Sequence, residues 1–539
     1  MSVDQLTKKY PELTPYQYAS CNPIMNVDVD GLEGFWYYFT HGDPFGALSY
    51  LTWDDVNEGA GYINNSIPVG AAINGSLWTN EATYRYYLHG PLARMELGQN
   101  TLQGVDYAYT LQGWLKGVNG QRIGQANTSV QLGMAPDNMA NTPFSGVGPD
   151  YLAFSLGYFT NDYTPIAGTG APAFGETYSL STDATLPGQP LYNGNIANAT
   201  YAIQSIDLGQ NSPSGFMGYV YRYDQLNRLT GMDANTVAGY TTPATWSRTN
   251  FIQSYQERVS YDGNGNIQTY LRYGGSNAPM DNLTYNYSRD ASGNLLNNKL
   301  GYVNDAVTNS PYNFDLQNQP TGNYGYDNIG NQIADQSQNI TGISWTVYGK
   351  MASISMGSAQ GLSFGYDPGG NRITKISTLN TGTTSTHYVR DAQGNVLAVY
   401  QYSGNSSTPT QGQWLEQHLY GSSRLGMLTP KLVIPAGQPL ANDAYNATND
   451  QTENAGNRQY ELTNHLGNVN VVIGDALSPA PTLVQALDYY PFGMRMPGRS
   501  FSSNGNLNAG APNSQNLTAY RYGFNGKEQD NEVKGWRNG

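Results

Sequence analysis

Charge is scarce in this chain. Asp, Glu, Lys and Arg make up only 12% of its 539 residues, about half of the ~25% usual in globular proteins. Basic residues are scarcest: 26 Lys and Arg stand against 40 Asp and Glu, for a net charge of −14. That balance disfavours binding to nucleic-acid backbones or anionic lipid. Cys21 is the single cysteine, so no intrachain disulfide can form and the redox compartment cannot be read from pairing. There is no apolar run of transmembrane length, so no membrane insertion is expected. The start, Met1 to Pro11, lacks the apolar core of a signal peptide, so an export signal lies outside this chain or this is not the native start. Histidine is rare too. His41, His89, His387, His418 and His465 never reach metal-ligand spacing, which leaves no expected metal site or cofactor. His465 reads as a packed structural residue rather than a base, since no nucleophile lies near it in sequence. No Gly-rich turn is followed by Lys-Ser/Thr into a helix, which removes a phosphate cradle, and the Asp-rich stretches do not approach a calcium loop.

What fills the chain instead is Gly (63) and Tyr (44), with abundant Asn, Thr, Ser and Gln. High aromatic content with low charge argues against disorder. The clearest order is a repeated phrase, (Tyr or Arg)-Asp-x-x-Gly-Asn. Its copies run Tyr261–Asn266, Arg289–Asn294, Tyr326–Asn331, Tyr366–Asn371 and Arg390–Asn395, with a looser one at Tyr223–Arg228. In each, Asp (262, 290, 327, 367, 391) is placed to accept from backbone amides two residues on. Gly (265, 293, 330, 370, 394) is placed to take a positive φ, so each copy predicts a hairpin tip. The flanks alternate apolar and polar residues, as in Tyr219–Tyr223 and Val396–Tyr400. Successive Asp residues from 224 to 391 lie 38, 28, 37, 40 and 24 apart, which implies hairpins of unequal length rather than a rigid solenoid rung.

The rest is also strand-like. Tyr84–Gly98 and Val105–Leu115 read as hairpins and Trp414–Tyr420 as a strand. Between 116 and 215, Gly, Asn, Pro and Thr clusters suggest long loops, with one helical stretch near Ile196 to Gln204, and Thr14-Pro15 can start another short helix. The fold class is therefore all-β with few short helices.

Three phrases near the end, Tyr460–Val469, Asp488–Met494 and Tyr520–Glu528, resemble the RHS repeat-associated core of bacterial RHS/YD-repeat proteins, and the turn ladder at 223–400 resembles their YD repeats. His89–Arg94 with Gly113–Gly117 resembles the upstream segment of Bacteroidetes-type members. The resemblance implies hairpins curling into a hollow β-shell that encloses a C-terminal toxin cargo, the cargo being absent here. On this basis 1–33 is a displaced, plug-like piece of the core's C-terminal part, 34–83 an aromatic and Gly-rich connector, 84–215 the first part of the shell, 216–400 the YD-repeat wall and 401–539 the core without its Asp-Pro strand. The chain reads as a permuted or truncated member: text that normally follows Gly-Lys-Glu stands at the front, in Ser2–Leu6, Tyr10–Tyr16 and Asp28–Leu32.

Many members of that family release their cargo by aspartyl self-cleavage. Here Asp4 and Asp28 would be the acid–base pair and Leu32 the scissile residue, but Gln5 and Val29 stand where prolines are usual, so the expectation is a container and not an enzyme. The implied partners are the toxin cargo of a longer relative and, if the front segment docks into a neighbour, a head-to-tail copy of this chain. The implied location is extracellular or at a bacterial cell surface, in competition between bacteria. The alternative from a different class is a surface adhesin or glycan-binding protein using aromatic faces.

Overall fold

The structure is a computed structural model that describes residues 80–98, 101–119, 146–163, 190–203, 216–237, 246–404, 411–435, 458–475, 481–503 and 520–532, apart from scattered residues within these spans. It also describes the backbone of the short strands Tyr62–Asn65, Ala72–Ile73 and Ser76–Leu77. Residues 1–33, with Asp4, Asp28 and Leu32, lie outside the described residues. Among those described the fold is all-β, with one helical turn at Phe524–Gly526 and no helix long and apolar enough to cross a membrane. A 13-stranded sheet runs from Tyr62–Asn65 to Leu295–Asp305, and a 15-stranded sheet runs from Tyr324–Tyr326 to Arg495–Ser502. Nearly every strand pairs antiparallel with its neighbours in sequence, as expected when short turns join consecutive strands.

All five repeat phrases fold into one turn. In the copy at Asp262, the carboxylate Oδ1 accepts from the amides of Asn264 and Asn266, both at 2.9 Å, and Oδ2 accepts from the Asn266 side chain at 2.8 Å. Gly265 then takes φ +90° and its amide donates to the Asp262 carbonyl. Asp290, Asp327, Asp367 and Asp391 repeat this, with Gly293, Gly330, Gly370 and Gly394 at φ +79° to +98°. In the looser copy Asn227 carries the positive φ, and Arg228 binds Asp224 Oδ2 in place of asparagine. The pairing register shifts by one residue beside the turn, between Ser260 and Tyr261 for example, so each tip is a three-residue loop closed by a glycine bulge. The bonds from Asn266, Asn294, Asn371 and Asn395 to their aspartates lower those carboxyl pKa values. The turns are therefore tightest above the usual carboxylate range and loosen as pH falls below it.

The structure also explains why Tyr or Arg precedes the Asp. The Tyr261 hydroxyl donates to the Leu229 carbonyl at 2.7 Å, and Tyr366 donates to Met351 at 2.8 Å. Leu229 lies five residues past Asp224, at the start of the preceding hairpin's return strand. Trp345 Nε1 reaches the Gln332 carbonyl at 2.8 Å and Arg390 Nε the Arg372 carbonyl at 3.0 Å, the equivalent atoms after Asp327 and Asp367. Tyr420 and Tyr489 do the same to Val396 and Val469. These side chains thus tie one hairpin to the one before it; Arg289 is the exception, bonding the Gly293 carbonyl of its own turn and Gln268 Oε1, and there Tyr287 makes the tie, to the Ile267 carbonyl at 3.1 Å. Tyr366→Phe is expected to cost about 1 kcal/mol, the worth of one such bond, with no change of fold; urea unfolding measures it.

The two sheets are not separate walls. Between Asp305 and Tyr324 the strand pairing stops, yet Tyr326 donates to the Leu300 carbonyl at 3.0 Å, on the last strand of the first sheet, ten residues past Asp290 rather than the five of the other ties. The strand path then returns, so that the last strands of the second sheet lie against the first. Leu97, Phe154, Leu156, Tyr219 and Met232 from one sheet and Tyr460, Val471, Ile473, Ala486 and Met496 from the other form one core cluster. These residues pack into one buried apolar cluster between the two sheets. Asn198–Ile203, where a helical stretch was expected, is instead a strand buried along its whole length. It pairs with Leu152–Gly157 on one side and Phe216–Tyr223 on the other. A strand covered on both faces shows no alternation, so periodicity alone cannot distinguish it from a helix.

Candidate functional site

The seam where the returning strands meet the first sheet gathers the buried polar groups. Tyrosine hydroxyls make most of the bonds across it. Tyr219 donates to Asp488 Oδ2 at 2.6 Å, Tyr255 to the Pro497 carbonyl at 3.0 Å, Tyr151 to the Pro481 carbonyl at 2.9 Å and Tyr490 to the Tyr273 carbonyl at 2.5 Å. At the far end Glu81 accepts from Tyr460 at 2.7 Å and Arg458 at 3.1 Å. Asp488 is the hub: it also accepts from Arg499 Nε at 2.7 Å and from the Tyr489 amide at 2.9 Å. Burial and the neighbouring Asp488 charge push the Tyr219 phenol well above its ordinary value, so Tyr219 remains a donor at any working pH.

Glu257, on the strand that also carries Tyr255, is fully buried, with Tyr270 donating to Oε1 and Oε2 unpartnered. Burial raises its pKa to about 7, against the pull of Arg272 and the Tyr270 bond. Between the usual glutamate range and pH 7 the folded chain therefore holds a proton that the unfolded chain has released, and stability falls as pH rises. Glu257→Gln is expected to flatten that slope and to stabilise the protein at pH 8 by up to about 3 kcal/mol, as the shift converts; denaturant midpoints across the pH range check it.

A cavity of about 560 Å³ opens between the sheets. Trp114, Tyr158, Tyr201, Tyr219, Tyr221 and Tyr223 line one side, and Asn464–Leu466, Asn468, Asn470 and Asp488–Pro491 the other. Part of its lining is a turn that the repeat phrase does not announce. Asn464 Oδ1 accepts from the amides of Leu466 at 3.0 Å and Asn468 at 3.1 Å, and Gly467 takes φ +75°. This is the ladder turn with Asn in place of Asp; the Gly-Asn that closes it was the available signal. His465, read as structural, packs tilted against Phe154 and lies 3.4 Å from the Tyr201 hydroxyl, and burial lowers its pKa to about 4.

The opposite face of the second sheet is covered by residues 520–530. Tyr520 and Tyr522 pack with Met427, Val469 and Val472, and their hydroxyls donate to Glu461 and Glu416 at 2.7 and 2.9 Å. Glu528 receives Tyr388 at 2.7 Å and Lys375 at 3.2 Å, and pairs with Arg521. The Val469–Gly474 strand is thereby buried on both faces. Among the described residues no group of three or more His, Cys, Asp and Glu side chains is placed to hold a metal ion. These buried polar groups hold strands together across the seam and beneath the tail. The turn residues expected from the sequence are spread along one rim, and Asp4, Asp28 and Leu32 lie outside the described residues.

No family model matches the chain. No curated protein matches it either. Among solved structures it is similar to the Tc holotoxin pore of Photorhabdus luminescens carrying the mutation TccC3-D651A, at 14% identity and a TM-score of 0.36 over 84% of this chain and 19% of that one. It is also similar to TcdB2-TccC3-TEV, at 10% identity and a TM-score of 0.24 over 84% of this chain and 25% of that one. The third is TcdB2-TccC3-Cdc42, at 11% identity and a TM-score of 0.24 over 86% and 26%. The chain thus spans 26% or less of the length of each.

Proposed function

We propose that this chain is the wall and closing block of an RHS-type β-shell, a container that encloses a C-terminal toxin cargo for delivery outside a bacterial cell. The observation that carries the reading is the return of the strand path: one turn-and-tie unit repeats from Asp224 to Tyr489, and the strands that end it seal against those that begin it through Tyr219, Asp488 and Tyr255. The sealing strands carry the motifs that resemble the RHS core, and the tail at Tyr520–Glu528, the third such motif, covers their other face. In this reading the chain performs no catalysis of its own, and it acts with the competition toxins that such shells accompany.

A protease-labile peptide appended after Gly539 tests enclosure. It is expected to survive digestion that cuts the same peptide fused to an unrelated domain; equal digestion of the two contradicts the proposal.

A further inference from the structure

The sheet edge that carries the ladder turns has a feature that neither the turns nor the seam require. Leu88, Leu111, Tyr192 and Leu226 stand on successive connections along this edge of the first sheet, and Leu466 and Phe492 on successive turns of the strands that return against it. The two rows share one end of the seam, since Trp114, Gly194, Leu466 and Pro491 line the same cavity. All six side chains project into solvent, from 45% exposed at Phe492 to 99% at Leu111. In the hairpin turns among them the closing bond runs from the fourth residue to the first, as from Gly113 to Thr110 and from Gly493 to Tyr490, so the apolar residue between takes no part in it. The ladder turns with Asn264, Ser292 and Gln393 in that place close in the same way, so the geometry does not call for an apolar tip. Farther along the same edge Ile329, Val347 and Tyr348 extend the row. Among the described residues no large apolar side chain is exposed on a turn of the opposite edge, where Thr101, Asn277, Ser358 and Ala359 take the positive φ.

Charge and spacing define what such an edge can meet. Within residues 87–91, 110–114, 191–195, 224–228, 464–468 and 490–494 the only Asp, Glu, Lys or Arg are Asp224 and Arg228, which pair with each other at 2.6 Å. Nothing is left there to attract a charged surface. Neighbouring hairpins set their tips two strand spacings apart, roughly 10 Å, with Gly, Asn or Gln beside each apolar residue. A rigid protein partner buries a contiguous apolar core. A bilayer instead takes each protruding side chain separately, and its hydrated headgroups meet the polar turn groups in between. The tips are also held in place: Asn193 and Asn195 donate to Asn227 Oδ1 at 2.9 and 3.0 Å, which fixes the Tyr192 connection to the Leu226 turn.

We propose that this edge is a contact surface for an electrically neutral lipid bilayer, with Leu88, Leu111, Tyr192, Leu226, Leu466 and Phe492 entering the headgroup layer and the strands remaining in water. The surface is independent of whether the shell holds a cargo.

Flotation of the full chain with phosphatidylcholine vesicles on a density gradient tests it. The chain is expected to float with the vesicles, equally at low and high salt, because no exposed charge carries the contact. Leu111→Gln combined with Leu226→Gln is expected to weaken binding at least roughly tenfold, since each takes an apolar side chain out of the lipid, and to leave the thermal unfolding midpoint unchanged. Val433→Gln, also exposed but on a strand away from this edge, is expected to leave flotation as it was. Failure to float with phosphatidylcholine overturns the proposal. So does flotation confined to phosphatidylserine vesicles and reversed by salt, or flotation that the double variant retains. Sedimentation without vesicles covers the remaining occupant: a dimer that the double variant dissolves would assign the edge to a second copy of the chain and overturn the proposal equally.

Discussion

Asp488→Ala is expected to destabilise the protein by about 3–5 kcal/mol, the usual cost of removing one partner from a buried charged pair. Asp488 is 3% exposed, and its Oδ2 serves both Tyr219 at 2.6 Å and Arg499 at 2.7 Å. Alanine takes the carboxylate from a buried guanidinium and a buried phenol together. The strands on both sides pack into one core cluster, so the loss is not confined to one hairpin. Guanidinium unfolding followed by tyrosine fluorescence measures it. A loss below about 1 kcal/mol, the range of exposed pairs, would mean that the seam is open in solution.

Glu528→Ala is the second large effect, again about 3–5 kcal/mol by the same mechanism. Burial alone would raise this carboxyl, but Arg521, Lys375 and Arg372 outweigh it and hold the pKa at about 2. The wild-type chain thus gains stability from Glu528 that is complete above the ordinary glutamate range and is lost as pH falls from about 4.5 to about 2. The alanine variant is expected to lose that part of the acid dependence as well as the energy. Release of residues 520–530 would uncover Met427, Val469 and Val472, so the variant is also expected to bind the dye ANS at neutral pH, where the wild type does not.

The turn ladder was readable from sequence because its bonds are local. An Asp, the amides two and four residues on, and a Gly at positive φ all lie within five residues, so the phrase at Asp262 or Asp391 carries its own geometry. Asn464 folds the same way but lacks the Asp, and it escaped a reading keyed to the carboxylate. The tie from Tyr261 to Leu229 spans 32 positions, so its regularity is visible only once the hairpins are laid side by side. The seam lies beyond sequence reading altogether. Tyr219 and Asp488 are 269 positions apart, and neither sits in a phrase that names the other. Burial on both faces hid the strand Asn198–Ile203 by erasing its alternation. The cavity was equally hidden, because Trp114, Tyr221 and Asn470 come from three separate strands or turns that only the return of the strand path brings together.

Closure of that path is the claim on which container, seam and cavity all depend. A double-mutant cycle on Tyr219→Phe and Asp488→Asn isolates the bond between the two ends of the path. Closure predicts a coupling of about 1.5–3 kcal/mol, the worth of a buried hydrogen bond to a charged group. Additive effects, with no coupling beyond error, would show that the two sheets do not meet there and would contradict the closed wall.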